Sequence, residues 1–437
     1  MNSRTVRSIP FLLGLALLAA AFPAGAKTIR LDTTKTYFKR GQLSVSPGDT
    51  ICLEPGRRLF QYFQGIHGTP AAPVVVTNCP GGRVLIGKTH HYALFFDSSS
   101  HVHVTGSGDP AHTYGIHIDG TSSGSGVSVT GLSHHMEFDH LEISGTDFAG
   151  FLVKQDYNGA PPSPLPTFVG LSIHHNHIHD VGGEGMYIGE TKSPGMLFSQ
   201  VEIFRNLVVR TGWDGIQTSN MDGARVHHNV VIASGRANEL YQANAIQVGN
   251  NVRNYRFDHN VVIGSLENSM NHLGGGQASI DSNWFESPGA GQMLFLDNRS
   301  HADTGSTIAF RDNFWRNPGT MAWKIYTEVN QVVFSGNRIG PTDTLLFFSG
   351  GAKASGTTET GTLRGNFAAL TFVDSAGGDW RIPASSPWAA WDLGFGTART
   401  TGIQRRPPLD GVRPEKPRFS PGGLSLDLPH PLGRRVP

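Results

Sequence analysis

Eight short segments decide the fold: LSIHHNHI (171–178), VEIFRNLV (201–208), ARVHHNVV (224–231), YRFDHNVV (255–262), ASIDSNWF (278–285), IAFRDNFW (308–315), VVFSGNRI (332–339) and TLRGNFAA (362–369). Each alternates apolar and polar residues and then reaches an asparagine, at 176, 206, 229, 260, 283, 313, 337 and 366. The intervals are 30, 23, 31, 23, 30, 24 and 29 residues. Self-similarity at that period means one supersecondary unit stacked on copies of itself. Alternation with period two means that the unit is built of strands.

Between the copies lie Gly, Asp and Asn turns and no 3.6-residue apolar pattern. That excludes the helical arrays and leucine-rich repeats and selects an all-β solenoid, a β-helix. A recurrent Asn at an inward turn of such a coil can bond its own backbone and the Asn of the next coil, so an Asn ladder is expected.

The repeats resemble those of secreted, single-stranded right-handed parallel β-helix proteins, the group that includes pectate-lyase-like and polygalacturonase-like enzymes. The resemblance runs over residues 40–395. Near its end, DWRIPASSPWAAWDLG (379–394) is similar to the closing segment of many such proteins. The resemblance implies the fold and a carbohydrate ligand; it does not imply a reaction, because one fold hosts many chemistries. The paired Asp-Asp, Gly-His-Gly and Arg-Ile-Lys features of polygalacturonase-like enzymes are absent, as is the cationic signature of pectate lyases.

Composition agrees with one elongated domain. The chain has 437 residues, 38% hydrophobic and 16% charged, with 55 Gly and 26 Pro: turn-rich, yet short of low complexity. Thirty-five Lys and Arg meet 34 Asp and Glu, for a net charge of +1, which argues against a nucleic-acid partner. Residues 1–26 read as a signal peptide: Arg4 and Arg7, an apolar run from Pro10 to Phe22, and Ala24-Gly25-Ala26 before the cut. The mature protein is expected to be a monomer, secreted to the periplasm or outside the cell, with no membrane attachment. Residues 27–130 read as an N-terminal cap and first coils, 131–395 as the β-helix and 396–437 as a Pro-rich basic tail. Cys52 and Cys79 are the only cysteines, and in an oxidising compartment they are expected to form a disulfide.

Counting eight residues on from the ladder positions aligns Ala149, Glu184 and Asp214, and Asn244 follows after the insertion GRANELY (235–241). The strands GFLVK (150–154), GMYIG (185–189), GIQTS (215–219) and AIQVG (245–249) then share a register. Phe151, Met186, Ile216 and Ile246, with Val153, Ile188, Thr218 and Val248, should point inward and their neighbours outward. The outward set comprises Glu184, Asp214 and Asn244; Tyr187, Gln217 and Gln247; and Gln155, Glu190, Asn220 and Asn250, with Lys154 and Trp213 beside them.

Coils stack about 4.8 Å apart, so Glu184 and Asp214 form a candidate catalytic pair whose mutual repulsion raises one pKa. Their spacing suits a glycosidase. The amides, with Tyr187, Glu190, Trp213 and His175, are candidate substrate contacts. Lys154 or a histidine is the candidate base of the alternative, a polysaccharide lyase or epimerase aided by Ca²⁺; hydrolysis requires no cofactor. A carbohydrate-binding protein without catalysis is the third reading.

Nine of the 20 histidines fall between 134 and 228. Alternation places His175, His177 and His179 on one face above His140 and Glu142, and His175, His177 and His140 are candidate metal ligands. GTSSG (120–124) fits a nucleophile-elbow pattern but lacks the strand–turn–helix context, and it is set aside.

Overall fold

Each coil takes three strands, two of them separated by the asparagine. In one coil, Thr167–His174 is the first strand, Asn176 turns the corner, His177–His179 is the second, and Met186–Ile188 is the third. The next coil repeats this with Leu197–Phe204, Leu207–Val209 and Ile216–Thr218, each hydrogen-bonded in parallel to its counterpart. These strands belong to three parallel sheets, here called I, II and III in the order the chain visits them. The computed structural model describes residues 25–88, 90–155, 163–191, 195–286, 288–289, 291–297, 306–326, 330–349, 356–375 and 379–389. Among these, sheet I has 14 strands and sheets II and III have 12 each, making a right-handed parallel β-helix. The signal-peptide core and the basic tail expected from the sequence lie outside the described residues.

Inward rows fill the coil. In sheet III, Phe151, Met186, Ile216, Ile246, Met270 and Leu294 stand in register, each no more than 1% exposed. Like side chains stack on one another; the rings of Phe168 and Phe198 lie 4.9 Å apart and 8° from parallel. One apolar cluster runs from Leu31 to Ile339, so stability accumulates coil by coil. Among the described residues no helix is long and apolar enough to cross a membrane. Cys52 and Cys79 are bonded, joining neighbouring strands of sheet I near its first end.

At the corner between sheets I and II the asparagines hydrogen-bond in series. The backbone N–H of Asn176 donates to Oδ1 of Asn206 at 3.2 Å, and the side-chain amide donates to the same oxygen at 3.0 Å. The pattern repeats through Asn229, Asn260, Asn283, Asn313 and Asn337. Leu141 donates its N–H to Asn176 and closes one end. Each of these seven asparagines is wholly buried. Asn366 departs from the sequence expectation: Arg338 pairs with Leu363, so Thr362 stands opposite Asn337 at the corner and Asn366 lies exposed beyond the strand.

Candidate active site

A second corner, between sheets II and III, holds the carboxylates. Gly185 and Gly215 let the chain turn there: a Cβ on Gly185 would stand 2.5 Å from the Gly215 carbonyl and from Val208, and one on Gly215 2.4 Å from Val231. Only glycine allows so close an approach, and the residue just before each is thereby fixed as Glu184 or Asp214. The Gly185 N–H donates to the Asp214 carbonyl at 3.0 Å, so the two acids occupy equivalent places one coil apart, as the offset count predicts.

Their surroundings differ from the expectation. Glu184 is 1% exposed and Asp214 and Asn244 are fully buried, where the sequence reading displayed all three on an open face. Tyr187, Gln217 and Gln247 do occupy one outward row of sheet III, yet they too are covered, at 9%, 2% and 7% exposure. Alternation assigns a side chain to one side of a sheet but does not say what packs over it. Phe148, Ala149, Leu152 and Tyr187 form a small apolar cluster outside the coil, and Trp213 packs against it, edge-on to Phe148 with ring centroids 5.4 Å apart. Trp213 is therefore half spent on packing.

Oδ1 of Asp214 accepts from the Asn244 backbone N–H at 2.8 Å and from its amide at 3.1 Å, while Oδ2 has no partner. Oε2 of Glu184 also has none. Burial pushes the Glu184 pKa up to about 7, against a small pull downward from Lys154. Burial, then the charge of Glu184, holds Asp214 well above the usual carboxylate range. Glu184 therefore keeps its proton up to about pH 7, Asp214 keeps its own beyond the usual carboxylate range, and each has an oxygen without a hydrogen-bond partner.

Lys154 is half-buried beside them. Its Nζ stands 4.4 Å over the Tyr187 ring and donates to the phenol oxygen at 3.4 Å. The Tyr187 hydroxyl also meets Thr191 Oγ1 at 2.6 Å. The amide row continues past the residues read from the sequence: Asn268 donates to Asn244 at 2.8 Å and Asn271 to Gln247 at 2.9 Å. Asn268 lies eight residues after Asn260, so the same count would have found it. Glu190 accepts from the backbone N–H of Gln155. Asn220 donates to the carbonyls of Gly195 and Met196 at 3.0 and 2.7 Å, so that amide holds a loop.

His175 does not join this group. It sits at the corner between sheets I and II, with its ring 5.6 Å from that of His140 and nearly parallel to it. Its φ of 54° breaks the strand, so alternation fails across it and His177 belongs to a different surface, the outer face of sheet II. The candidate metal set His175, His177 and His140 is thus divided by the structure.

Residues 92–285 match the family model described as "Right handed beta helix region". No curated protein matches the sequence. Among solved structures, a GH136 lacto-N-biosidase from Eubacterium ramulus superposes with a TM-score of 0.56 at 12% identity, over 77% of this chain and 68% of that one. The native form of that enzyme gives 0.50 at 12% identity, over 78% and 68%. A pectate lyase, Pel9A, gives 0.48 at 14% identity, over 83% and 90%. At such identities the likeness speaks for the fold alone, that of a right-handed parallel β-helix.

Proposed function

We propose that the protein is an exported carbohydrate-active enzyme that lays an extended polysaccharide along the outer face of sheet III and hydrolyses it, with Glu184 as proton donor. The observation that carries this reading is the state of Glu184: a carboxyl protonated up to a pH of about 7, with one oxygen lacking a partner. A general acid for glycoside cleavage needs that combination. Asp214, one coil away, is the second carboxyl; with strands about 4.8 Å apart the pair has the spacing of a retaining enzyme, in which Asp214 attacks as nucleophile once it has lost its proton. The row of amides offers hydroxyl partners, and substrate reaches the acids by displacing the cover of Phe148 and Trp213. A lacto-N-biosidase of the same fold supports the substrate class by analogy only.

One observation favours a second reading, elimination from a uronic acid. Lys154 Nζ lies 3.4 Å from the Tyr187 oxygen; its charge favours the phenolate while burial, the larger effect, opposes it, so Lys154 in its neutral form is the base of this reading and Tyr187 its hydrogen-bond partner. Ca²⁺ would belong to this reading, where it would neutralise the uronate.

Incubating the mature protein with a panel of polysaccharides, and following reducing ends and ultraviolet absorbance together, separates these readings. Hydrolysis releases reducing ends without absorbance, and Glu184→Gln lowers the rate by roughly 10²–10⁴-fold. Absorbance rising with the ends, and lost in Lys154→Ala, replaces hydrolysis with elimination. Glycan retention without products reduces the protein to a binding module.

A further inference from the structure

On the outer face of sheet II, away from the carboxylate corner, His177 and His179 project from one short strand, His177–His179, toward Glu142 on its neighbour, Leu141–Ser144. One nitrogen from each imidazole and one carboxylate oxygen all lie within 4.8 Å of one another. We propose that this cluster is a binding site for a divalent transition metal of the zinc class.

Four features set it apart from a surface group of histidines. First, the Glu142 oxygen and Nε2 of His179 stand 3.3 Å apart. Ligands about 2.0–2.2 Å from a tetrahedral ion are separated by roughly 3.4 Å, so this edge is already formed. Second, His179 is oriented from behind. Its Nδ1 meets the Asp180 carboxylate at 2.9 Å, and Arg210 grips that carboxylate through two bonds of 2.7 and 2.6 Å. A carboxylate on the far nitrogen fixes the tautomer and aims Nε2 at the site, as it does behind metal-bound imidazoles.

Third, the His177 imidazole makes no hydrogen bond to any described residue; it lies against Tyr114 and His179, with ring centroids 5.8 and 4.3 Å away. A half-buried imidazole without a partner has a lone pair to give. Fourth, the next strand in the sheet offers Leu207 and Val209, both buried, as an apolar wall on one side.

Glu142 is itself buried, and its second oxygen is bonded to Arg83, which leaves the first free to face the imidazoles. His117, one strand further, has its Nε2 3.8 Å from that same oxygen but 2.9 Å from Ser144 Oγ, so the protein ligands of the cluster are three. Among the described residues two other groups of histidines, one of them with acids, lack this freedom. In one, Asp139 already accepts from Thr105, His103 and His140, and Glu137 from His174. In the other, His134 and His135 bond each other at 2.8 Å.

The test uses untagged protein, stripped with a chelator and dialysed against CoCl₂ or ZnCl₂. One Co²⁺ per chain with the visible bands of a tetrahedral site is expected, and Zn²⁺ should displace it and raise Tm. His177→Gln and Glu142→Gln should each weaken retention at least tenfold, while His259→Gln, at the other corner, leaves it unchanged. Folded protein that retains no stoichiometric Co²⁺ or Zn²⁺ and shows no shift in Tm overturns the proposal without recourse to variants. Retention lost in His259→Gln but kept in His177→Gln and Glu142→Gln also overturns it.

Discussion

Two columns of buried polar side chains climb the same solenoid at different corners, and they are finished differently. In the column from Asn176 to Asn337, each internal oxygen accepts two bonds from the coil below, and each amide before Asn337 donates to the coil above. In the column of Glu184, Asp214, Asn244 and Asn268, the backbone bond runs the other way, from the Asn244 N–H back to Asp214. Its two acids each keep an unpartnered oxygen at a depth where asparagine would have served. A fully satisfied column can be explained by stability alone. One that buries protonated carboxyls with oxygens to spare costs stability and calls for another explanation, which a proton-donating site supplies.

The sharpest way to break this contrast is to damage the satisfied column. Asn229 accepts two bonds from Asn206 at 3.0 Å each and donates to Asn260 and to the Ile203 carbonyl. Replacing it by Ala orphans several buried groups at once, at roughly 3–5 kcal/mol. A denaturation midpoint that barely moves would mean that the ladder is ornamental and the two columns energetically alike.

That column was legible because it repeats at every turn, and an alternating strand before each Asn fixes which way it faces. Glu184 and Asp214 were legible as a register, since a fixed offset from the ladder survives from coil to coil. Their burial was not, because the apolar cluster of Phe148, Ala149, Leu152 and Tyr187 gathers residues of two coils, and strand alternation does not say what packs beside an outward row. His175 was misplaced for a different reason. Alternation assumes an unbroken strand, and a left-handed residue at a corner resets the phase. The partnership of Glu142 with His177 and His179 was legible as a register, since the coil offset sets the histidines above Glu142; the reset that parts them from His175 and His140 was not.

Glu184 gives a second, pH-dependent comparison. Its folded pKa, about 7, lies above its ordinary 4.5, so the native state binds the extra proton between those values. The protonated carboxyl's contribution is fully present below about pH 4.5, falls as pH rises toward 7, and is absent above it. The span amounts to about 3 kcal/mol. Asp214 adds a term of the same sign. Glu184→Gln should therefore match the parent in acid and exceed it in stability at pH 8, measured as denaturation midpoints across the range. The same substitution in an active enzyme removes the proton donor, so stability gained and activity lost would mark the residue as functional. A parent whose stability is flat from pH 4.5 to 8 would place the two columns on one footing.

The smallest expected effect tests whether the second column acts as a unit. Asn268 joins it at the far end, donating to Asn244 at 2.8 Å and accepting from the Gln292 N–H at 2.9 Å. It is only partly buried, so water can replace some of what Asn268→Ala removes, and the loss should be about 1 kcal/mol. Asp214 keeps both its bonds from Asn244 in that variant, so the pH dependence of stability should stay where it is in the parent. A shifted pH profile would show that the amides above Asp214 set its protonation through a chain of hydrogen bonds. The carboxylate corner would then reach from Glu184 to Gln292, and the contrast would lie between two extended networks, one closed at every coil and one left open at its acidic end.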